Sequence, residues 1–317
     1  MAGRNVAGDG AWRDHRDQGQ EHPALRVGPG CHRFALPHPY ASEPVIGTAR
    51  RTRSSIQSDF IEIGSLRVHH MHGGRGTPVV FIHGLGSSSY MEWRYNLEAT
   101  GAKHRVFAPD LPGYGRTEKP RVRYSIPYFA RFVERYIEDR GLRSAAIVGV
   151  SLGGRVALEV ALERPHLIPR VGEAVMRFTR GALHWASPSL IRRVAARYGG
   201  NGADLERAMD DAYLKDLREL YATDEFHNAY LSTVRSLVNP RALLGGHHDV
   251  SSRLSEIKIP LQLIWGSDDP LFPVAHATRA HALVEHSRLA IIEGAGHSPQ
   301  AERPEEFNRV LLNFLGS

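Results

Sequence analysis

Ser151 stands in Gly149-Val-Ser-Leu-Gly153, after the short apolar run Ser144-Ala-Ala-Ile-Val148 and before the helical pattern Arg155–Glu163. A serine on a tight turn between strand and helix projects its hydroxyl out of the sheet, where a base can reach it. Glycines flank such a serine because a Cβ there would clash with the crowded turn. Two further stretches carry groups of the right chemistry. Gly266-Ser-Asp-Asp-Pro270 follows the strand-like run Leu261–Trp265, and Gly294-Ala-Gly-His-Ser298 follows Leu289–Ile292. An acid and a histidine thus each fall just past the end of a strand. In an open parallel sheet, that edge is where ligand chemistry gathers.

A serine hydroxyl is a weak nucleophile at its own pKa, so a base must take its proton as it attacks a carbonyl. His297 can do this and then return the proton to the leaving group. Asp269 would fix the imidazole tautomer and stabilise the imidazolium, with Asp268 competing for that place. The tetrahedral oxyanion needs two donors. The backbone N–H groups of Leu152 and, after His83-Gly84, of Leu85 are the natural pair.

These groups need a scaffold. Phe60–Ile63, a turn at Gly64-Ser65 and Leu66–His72 read as a hairpin. Pro78–Ile82 is continuously apolar, as a strand buried on both faces requires, and Arg105–Ala108 is the next strand. Helices are expected over Tyr90–Thr100, over Ile126–Arg140 with a stop at Gly141, from Arg155 to near Pro165, and over Pro304–Leu315. Strands alternating with helices predict an α/β fold with a mostly parallel, doubly wound sheet. Residues 1–55 read as a disordered leader, and residues 56–170 with 251–317 as the core. Residues 171–250 read as a helical lid or cap, with helical runs at Ala182–Tyr198 and Ala203–Leu220. His70 and His72 share one strand face. Without a third ligand they read as the solvated face of an edge strand rather than a metal site.

With His83-Gly-Leu-Gly86, Asp110-Leu-Pro-Gly-Tyr-Gly-Arg-Thr117, Gly149-Val-Ser-Leu-Gly-Gly154, Gly266-Ser-Asp-Asp-Pro-Leu271, Gly294-Ala-Gly-His-Ser-Pro299 and Glu302-Arg-Pro-Glu-Glu-Phe307 in this order, the chain resembles the lid-bearing α/β-hydrolases from about Phe60 to Leu315. The resemblance implies Ser151 as nucleophile, His297 as base, Asp269 rather than Asp268 as acid, and Leu85 and Leu152 as oxyanion donors. Asp110 is read as capping a turn. A serine at the elbow sets the chain apart from relatives with a carboxylate nucleophile, the haloalkane dehalogenases and epoxide hydrolases.

One departure stands out. In the family another core strand follows the elbow helix, but here Arg164-Pro-His-Leu-Ile-Pro-Arg170 runs into Val171-Gly-Glu-Ala-Val-Met-Arg-Phe178, which reads as the start of a lid helix. One central strand is therefore expected to be missing at the Arg170/Val171 junction. The Leu261 strand would then move over to the Ser151 strand, or residues near Val171 would pair irregularly. A shift of one strand spacing, ~4.8 Å, would misplace Asp269 and His297.

Composition narrows the alternatives. The net charge is +6, and residues 1–55 carry eight arginines against five acids, so half the excess lies in the leader. No basic stripe with interleaved aromatics points to nucleic acid. No run approaches the ~20 apolar residues of a membrane helix, and the first residues have no apolar segment of a secretory signal. The single cysteine, Cys31, excludes an internal disulfide framework and agrees with a cytoplasmic protein. No P-loop or dinucleotide fingerprint appears, so no cofactor and no metal are expected. The partner expected is a small-molecule substrate, and nothing fixes the oligomeric state. The resemblance implies a serine hydrolase acting on a small or medium carboxylic ester through an acyl-enzyme. The alternatives are a hydrolase of carbon–carbon bonds in ring-cleavage diketones, a cofactor-free haloperoxidase-like activity, and a catalytically impaired relative that has lost a core strand.

Overall fold

A computed structural model describes residues 55–168, 170–173, 221–237 and 250–316. The chain enters with an antiparallel hairpin, β1 (Ile56–Ile63) and β2 (Leu66–Gly74), closed by Gly64-Ser65 with Ile63 opposite Leu66. β3 (Pro78–Ile82) is apolar throughout and leads to two short helices, α1 (Ser89–Trp93) and α2 (Leu97–Gly101). Sequence periodicity predicts one helix here. The break falls where the Asn96 side chain bonds across the fold, to the Gln300 carbonyl at 3.1 Å and to Asn308 Oδ1 at 2.8 Å.

β4 (Arg105–Pro109) precedes α3 (Ile126–Asp139), which Ser125 caps and after which Gly141 turns the chain at φ +61°. Then come β5 (Ala146–Gly149), α4 (Leu152–Glu163), β6 (Arg170–Glu173) and α5 (Asp224–Leu237). A 3₁₀ turn at Val250–Glu256 leads to β7 (Leu261–Gly266), α6 (Ala275–Leu283), β8 (Ser287–Ile292), α7 (Pro299–Glu302) and α8 (Pro304–Leu315).

The eight strands form one sheet in the order β1-β2-β4-β3-β5-β6-β7-β8. β1 and β2 run antiparallel to their neighbours, and the other pairs are parallel. The connection from β3 goes to one side and β5 returns on the other, so the switch point of the sheet lies between them. That crevice is the usual place for a ligand in such a sheet. α3 packs on α4, while α1 packs on α7 and α2 on α8. One half of the core is the ring cluster of Phe81, Trp93 and Phe307. The other is the fully buried stripe Phe129, Phe132, Val133 and Tyr136 of α3. No helix among the described residues is long and apolar enough to cross a membrane.

Two expectations are corrected here. The slot between the Ser151 strand and the Leu261 strand is filled by β6. It pairs with β5 from Ala146↔Arg170 to Gly149↔Glu173, and with β7 from Val171↔Leu261 to Glu173↔Leu263. Thus β7 does not move over to β5, and Val171-Gly-Glu is strand rather than lid helix. A ladder is made by backbone N–H and C=O groups, so a short segment without an apolar run can occupy it. Of the region read as lid, residues 171–173, residues 221–223, α5 and Val250 are described. The helical runs at Ala182–Tyr198 and Ala203–Leu220, and the leader apart from Ser55, lie outside the described residues.

The second correction concerns the histidines. β2 lies inside the sheet, between β1 and β4, so His70 is 1 % exposed rather than on a solvated edge. Its ring stacks on His72 with centroids 4.7 Å apart, and its Nδ1 shares a hydrogen bond with the Tyr136 hydroxyl at 2.6 Å. His72 turns instead to Asp59 at 2.9 Å. Among the described residues no cluster suits a metal ion.

The elbow after β5 depends on two glycines. A Cβ on Gly153 would sit 2.2 Å from the Ile82 carbonyl oxygen and 2.6 Å from that of His83, and a Cβ on Gly149 would sit 2.4 Å from the Gly153 carbonyl carbon. These neighbours are backbone and cannot give way.

Two predictions follow from this packing. Gly153→Ala should lose about 1–3 kcal/mol of stability in urea denaturation, the usual range for overpacking. A parental midpoint would contradict the contact. Burial, reinforced by His72, pushes the His70 imidazole from 6.5 down to about 3. The unfolded chain therefore binds a proton in that window that the folded chain refuses, and stability falls as pH drops through it. His70→Gln should lose urea resistance less steeply than the parent between pH 7 and pH 4.

Candidate active site

Ser151 is the hinge of the elbow. It has φ +52° and ψ −113°, a conformation that a residue with a Cβ rarely adopts. Strain of this kind costs about 1–3 kcal/mol and persists only where the surroundings impose it. They do so by tying Val150 N to the Ile82 carbonyl at 3.2 Å and Gly153 N to the Val150 carbonyl at 2.8 Å. The serine is half-buried and heads α4. The amide of Leu152 is the first of that helix, one of the four that a helix leaves without an internal acceptor.

The turn after β3 faces the elbow. A Cβ on Gly84 would lie 3.6 Å from Ser151 Cβ. His83 is fully buried, and its Nε2 accepts the Leu111 N–H at 2.9 Å. The ring proton therefore sits on Nδ1, which donates to the Gly84 carbonyl at 2.8 Å. Burial pushes this imidazole down, against the pull of Asp110, and keeps it neutral. A trans peptide is planar, with C=O and N–H on opposite sides. Holding the Gly84 carbonyl against His83 thus turns the Leu85 N–H the other way. The amide of Gly84 is taken by Glu92 Oε2 at 3.1 Å.

The acid and the histidine come together. Asp269 Oδ2 accepts from His297 Nδ1 at 3.0 Å, and its Oδ1 accepts the amides of Leu271 and Phe272 at 2.8 and 2.9 Å. The aspartate side chain is fully buried and the histidine 18 % exposed. With Nδ1 donating to the carboxylate, the lone pair lies on Nε2. The Phe272 ring packs on the imidazole at 5.3 Å. Asp268, the competing acid, is exposed and bonds to Ser267. The Ser151 hydroxyl makes no hydrogen bond with His297 or with any other described residue. The structure therefore pairs two of the three residues by a hydrogen bond and gives the serine hydroxyl none.

α5 overlies the turn after β3. Tyr221 Oη and Tyr230 Cε2 each lie 3.3 Å from the position of a Cβ on Gly86. The helix is anchored by the Tyr114 hydroxyl, which donates to Thr233 Oγ1 at 2.6 Å, and by Ser232 Oγ, which accepts the Tyr124 amide at 3.1 Å.

Sequence reasoning missed the weight carried by Asp110. Its Oδ1 accepts from both the amide and the hydroxyl of Ser89 at 2.6 Å, and its Oδ2 from His69 Nδ1 at 2.8 Å and the Arg116 amide at 2.9 Å. Burial works to raise its pKa, but His69 and these donors hold the carboxyl far below the usual range. His69 Nε2 reaches Ser58 Oγ at 2.8 Å, so Ser58, His69 and Asp110 form a second serine–histidine–aspartate chain. Its serine lies on regular strand backbone and its aspartate is engaged by four donors, so it joins β1, β2, α1 and the turn after β4. The one signal for it in sequence was Asp110 at the end of a strand before a glycine-rich turn. Glu92 and Glu302 were also missed: Glu302 turns back onto the Gly296 and Ser298 amides just before it, and Glu92 takes the Gly84 amide and reaches Gln300 across the fold.

The architecture agrees with comparisons to known proteins. Residues 79–310 match the family model described as the alpha/beta hydrolase family. An uncharacterised protein of Mycobacterium tuberculosis is 30% identical over 268 residues, 76% of either chain. The 2-hydroxy-6-oxo-6-(2'-aminophenyl)hexa-2,4-dienoic acid hydrolase of Metapseudomonas resinovorans is 28% identical over 84% of this chain and 93% of its own. Among solved structures, a serine hydrolase involved in carbazole degradation superposes with a TM-score of 0.70 at 24% identity, over 82% of this chain and 99% of the other. The chain belongs to the α/β-hydrolase family and is an enzyme of the hydrolase type.

Proposed function

We propose that the chain is a serine hydrolase that cleaves a small or medium carboxylic ester through an acyl-enzyme. The observation that carries this reading is the Asp269–His297 pair, which leaves Nε2 with its lone pair at the sheet edge where the strained Ser151 stands. His297 Nε2 takes the Ser151 proton as Oγ bonds to the ester carbonyl. The oxyanion accepts from the N–H groups of Leu85 and Leu152. As the intermediate collapses, the C–O bond to the alcohol breaks and the imidazolium gives its proton to that oxygen. Water, giving a proton to the same imidazole, then attacks the acyl-enzyme; the acyl bond to Ser151 Oγ breaks, the imidazolium returns its proton to Oγ, and the acid leaves. Asp269 keeps the required tautomer throughout. The substrate is the small-molecule partner, no cofactor enters a step, and the single cysteine suits a cytoplasmic setting.

A second reading is a carbon–carbon hydrolase, supported by relatives whose names describe dienoate hydrolases, at 28% and 26% identity. It would use the same serine and histidine but must bind an acidic substrate and protonate carbon. The ester reading is kept first because the serine–histidine chemistry above completes it with no protonation of carbon, and the substrate test below separates the two.

A fluorophosphonate probe should label the parent and not Ser151→Ala. Hydrolysis of p-nitrophenyl esters should fall about 10⁴-fold in Asp269→Asn, the size of effect seen when such an aspartate is neutralised, while Asp268→Asn stays near the parent. Absence of labelling in well-folded parent would overturn the serine hydrolase. Turnover of a ring-cleavage diketone much faster than of any ester would favour the second reading.

A further inference from the structure

Two hydrogen-bonded carboxylates outside the proposed triad join the halves of this site. The oxyanion turn lies at residues 83–86 and the base at 297, more than two hundred residues apart in the chain. Between them stands α7, a single turn that begins two residues after His297.

At one end of α7, Glu302 grips the base loop. Its Oε2 accepts the Gly296 amide at 2.6 Å and its Oε1 the Ser298 amide at 2.9 Å, so one carboxylate holds both amides flanking His297. In the middle of α7, Gln300 is fully buried and its Nε2 donates to Glu92 Oε1 at 2.6 Å. The other oxygen of Glu92 accepts the Gly84 amide at 3.1 Å. The Gln300 backbone is fixed as well, its carbonyl accepting from Asn96 Nδ2 at 3.1 Å. Asn96 also reaches Asn308 of α8, and Asn308 donates to the Tyr95 carbonyl at 3.0 Å. A continuous run of hydrogen bonds therefore leads from Gly84 through Glu92 and Gln300 to α7, and through Glu302 to the backbone on either side of His297.

We propose that Glu92 and Gln300 are positioning residues that set the oxyanion turn in register with the catalytic base, with α7 as the shared anchor. The proposal rests on the serine-hydrolase reading. Glu92 does not touch substrate. It holds the peptide before Gly84, as His83 holds the one after, so that the Leu85 N–H is aimed by ties on both sides. Such donors stabilise charge only if they are fixed where the oxyanion forms. A small misplacement of one costs rate rather than ground-state binding.

The test is a double-mutant cycle in the full chain on p-nitrophenyl butyrate, with fluorophosphonate labelling of Ser151 followed in parallel. Glu92→Met removes, at similar side-chain length, the acceptor of both the Gly84 amide and Gln300 Nε2. Gln300→Met removes the donor at nearly constant volume in a buried position. Each should lower kcat about 10- to 100-fold, the scale of a misaligned reactive group, with KM changed less than about threefold and labelling slowed in step. The double variant should be no slower than the slower single variant, because both break one link. Circular dichroism and thermal midpoints confirm that the variants are folded. Parental kcat in folded variants, a loss confined to KM, or additive losses would overturn the proposal alone. If the parent itself neither turns over esters nor takes the label, the serine-hydrolase reading fails and this proposal with it.

Discussion

The site depends on one close approach of backbone to backbone. At the C-terminal ends of β3 and β5, Gly153 lies so near the carbonyls of Ile82 and His83 that no side chain fits between. This contact drives the chain through the strained turn at Ser151, and α4 starts with only two residues between it and the end of β5. It also sets the turn after β3 against the serine. The nucleophile candidate and both oxyanion-donor candidates are thereby placed by one crossing of main chain, which is rigid in a way that a set of side-chain contacts is not.

Around this crossing, several buried ionisable groups are held by specific hydrogen-bond partners. His83 is neutral because it is buried, and its tautomer follows from the Leu111 amide it accepts. Asp110 stays ionised because four donors converge on it. Asp269 has two amides on one oxygen and the His297 ring on the other. A buried carboxylate without such partners would be costly. With them, each becomes a fixed point to which a loop is tied: Asp110 for the turn after β4, Asp269 for the turn after β7, Glu302 for the loop after β8.

What could be read in the sequence divides along physical lines. The positions of Ser151, Asp269 and His297 were legible because turn glycines and apolar runs are local signals that place a residue just past a strand end. The hairpin at Gly64-Ser65 and the amphipathic α3 and α8 were legible for the same reason. β6 was not, since Arg170-Val-Gly-Glu173 enters the sheet through its backbone and has no side-chain pattern of a buried strand. The break between α1 and α2 depends on partners of Asn96 some two hundred residues away. His70 was misplaced because strand order, not local pattern, decides which strand is an edge. Glu302 stood inside a quoted motif, yet its role shows only when its two oxygens are seen to take the amides on either side of His297.

The proposed mechanism requires that Ser151 become covalently acylated during turnover. Rapid acid quench of the parent during turnover of p-nitrophenyl acetate, followed by intact-protein and peptide mass spectrometry, tests this directly. The account predicts a transient gain of one acetyl group on the peptide carrying Ser151, appearing with a burst of nitrophenol and absent from Ser151→Ala. Turnover with no adduct on Ser151, or an adduct on another residue that accumulates and decays at the catalytic rate, would contradict it.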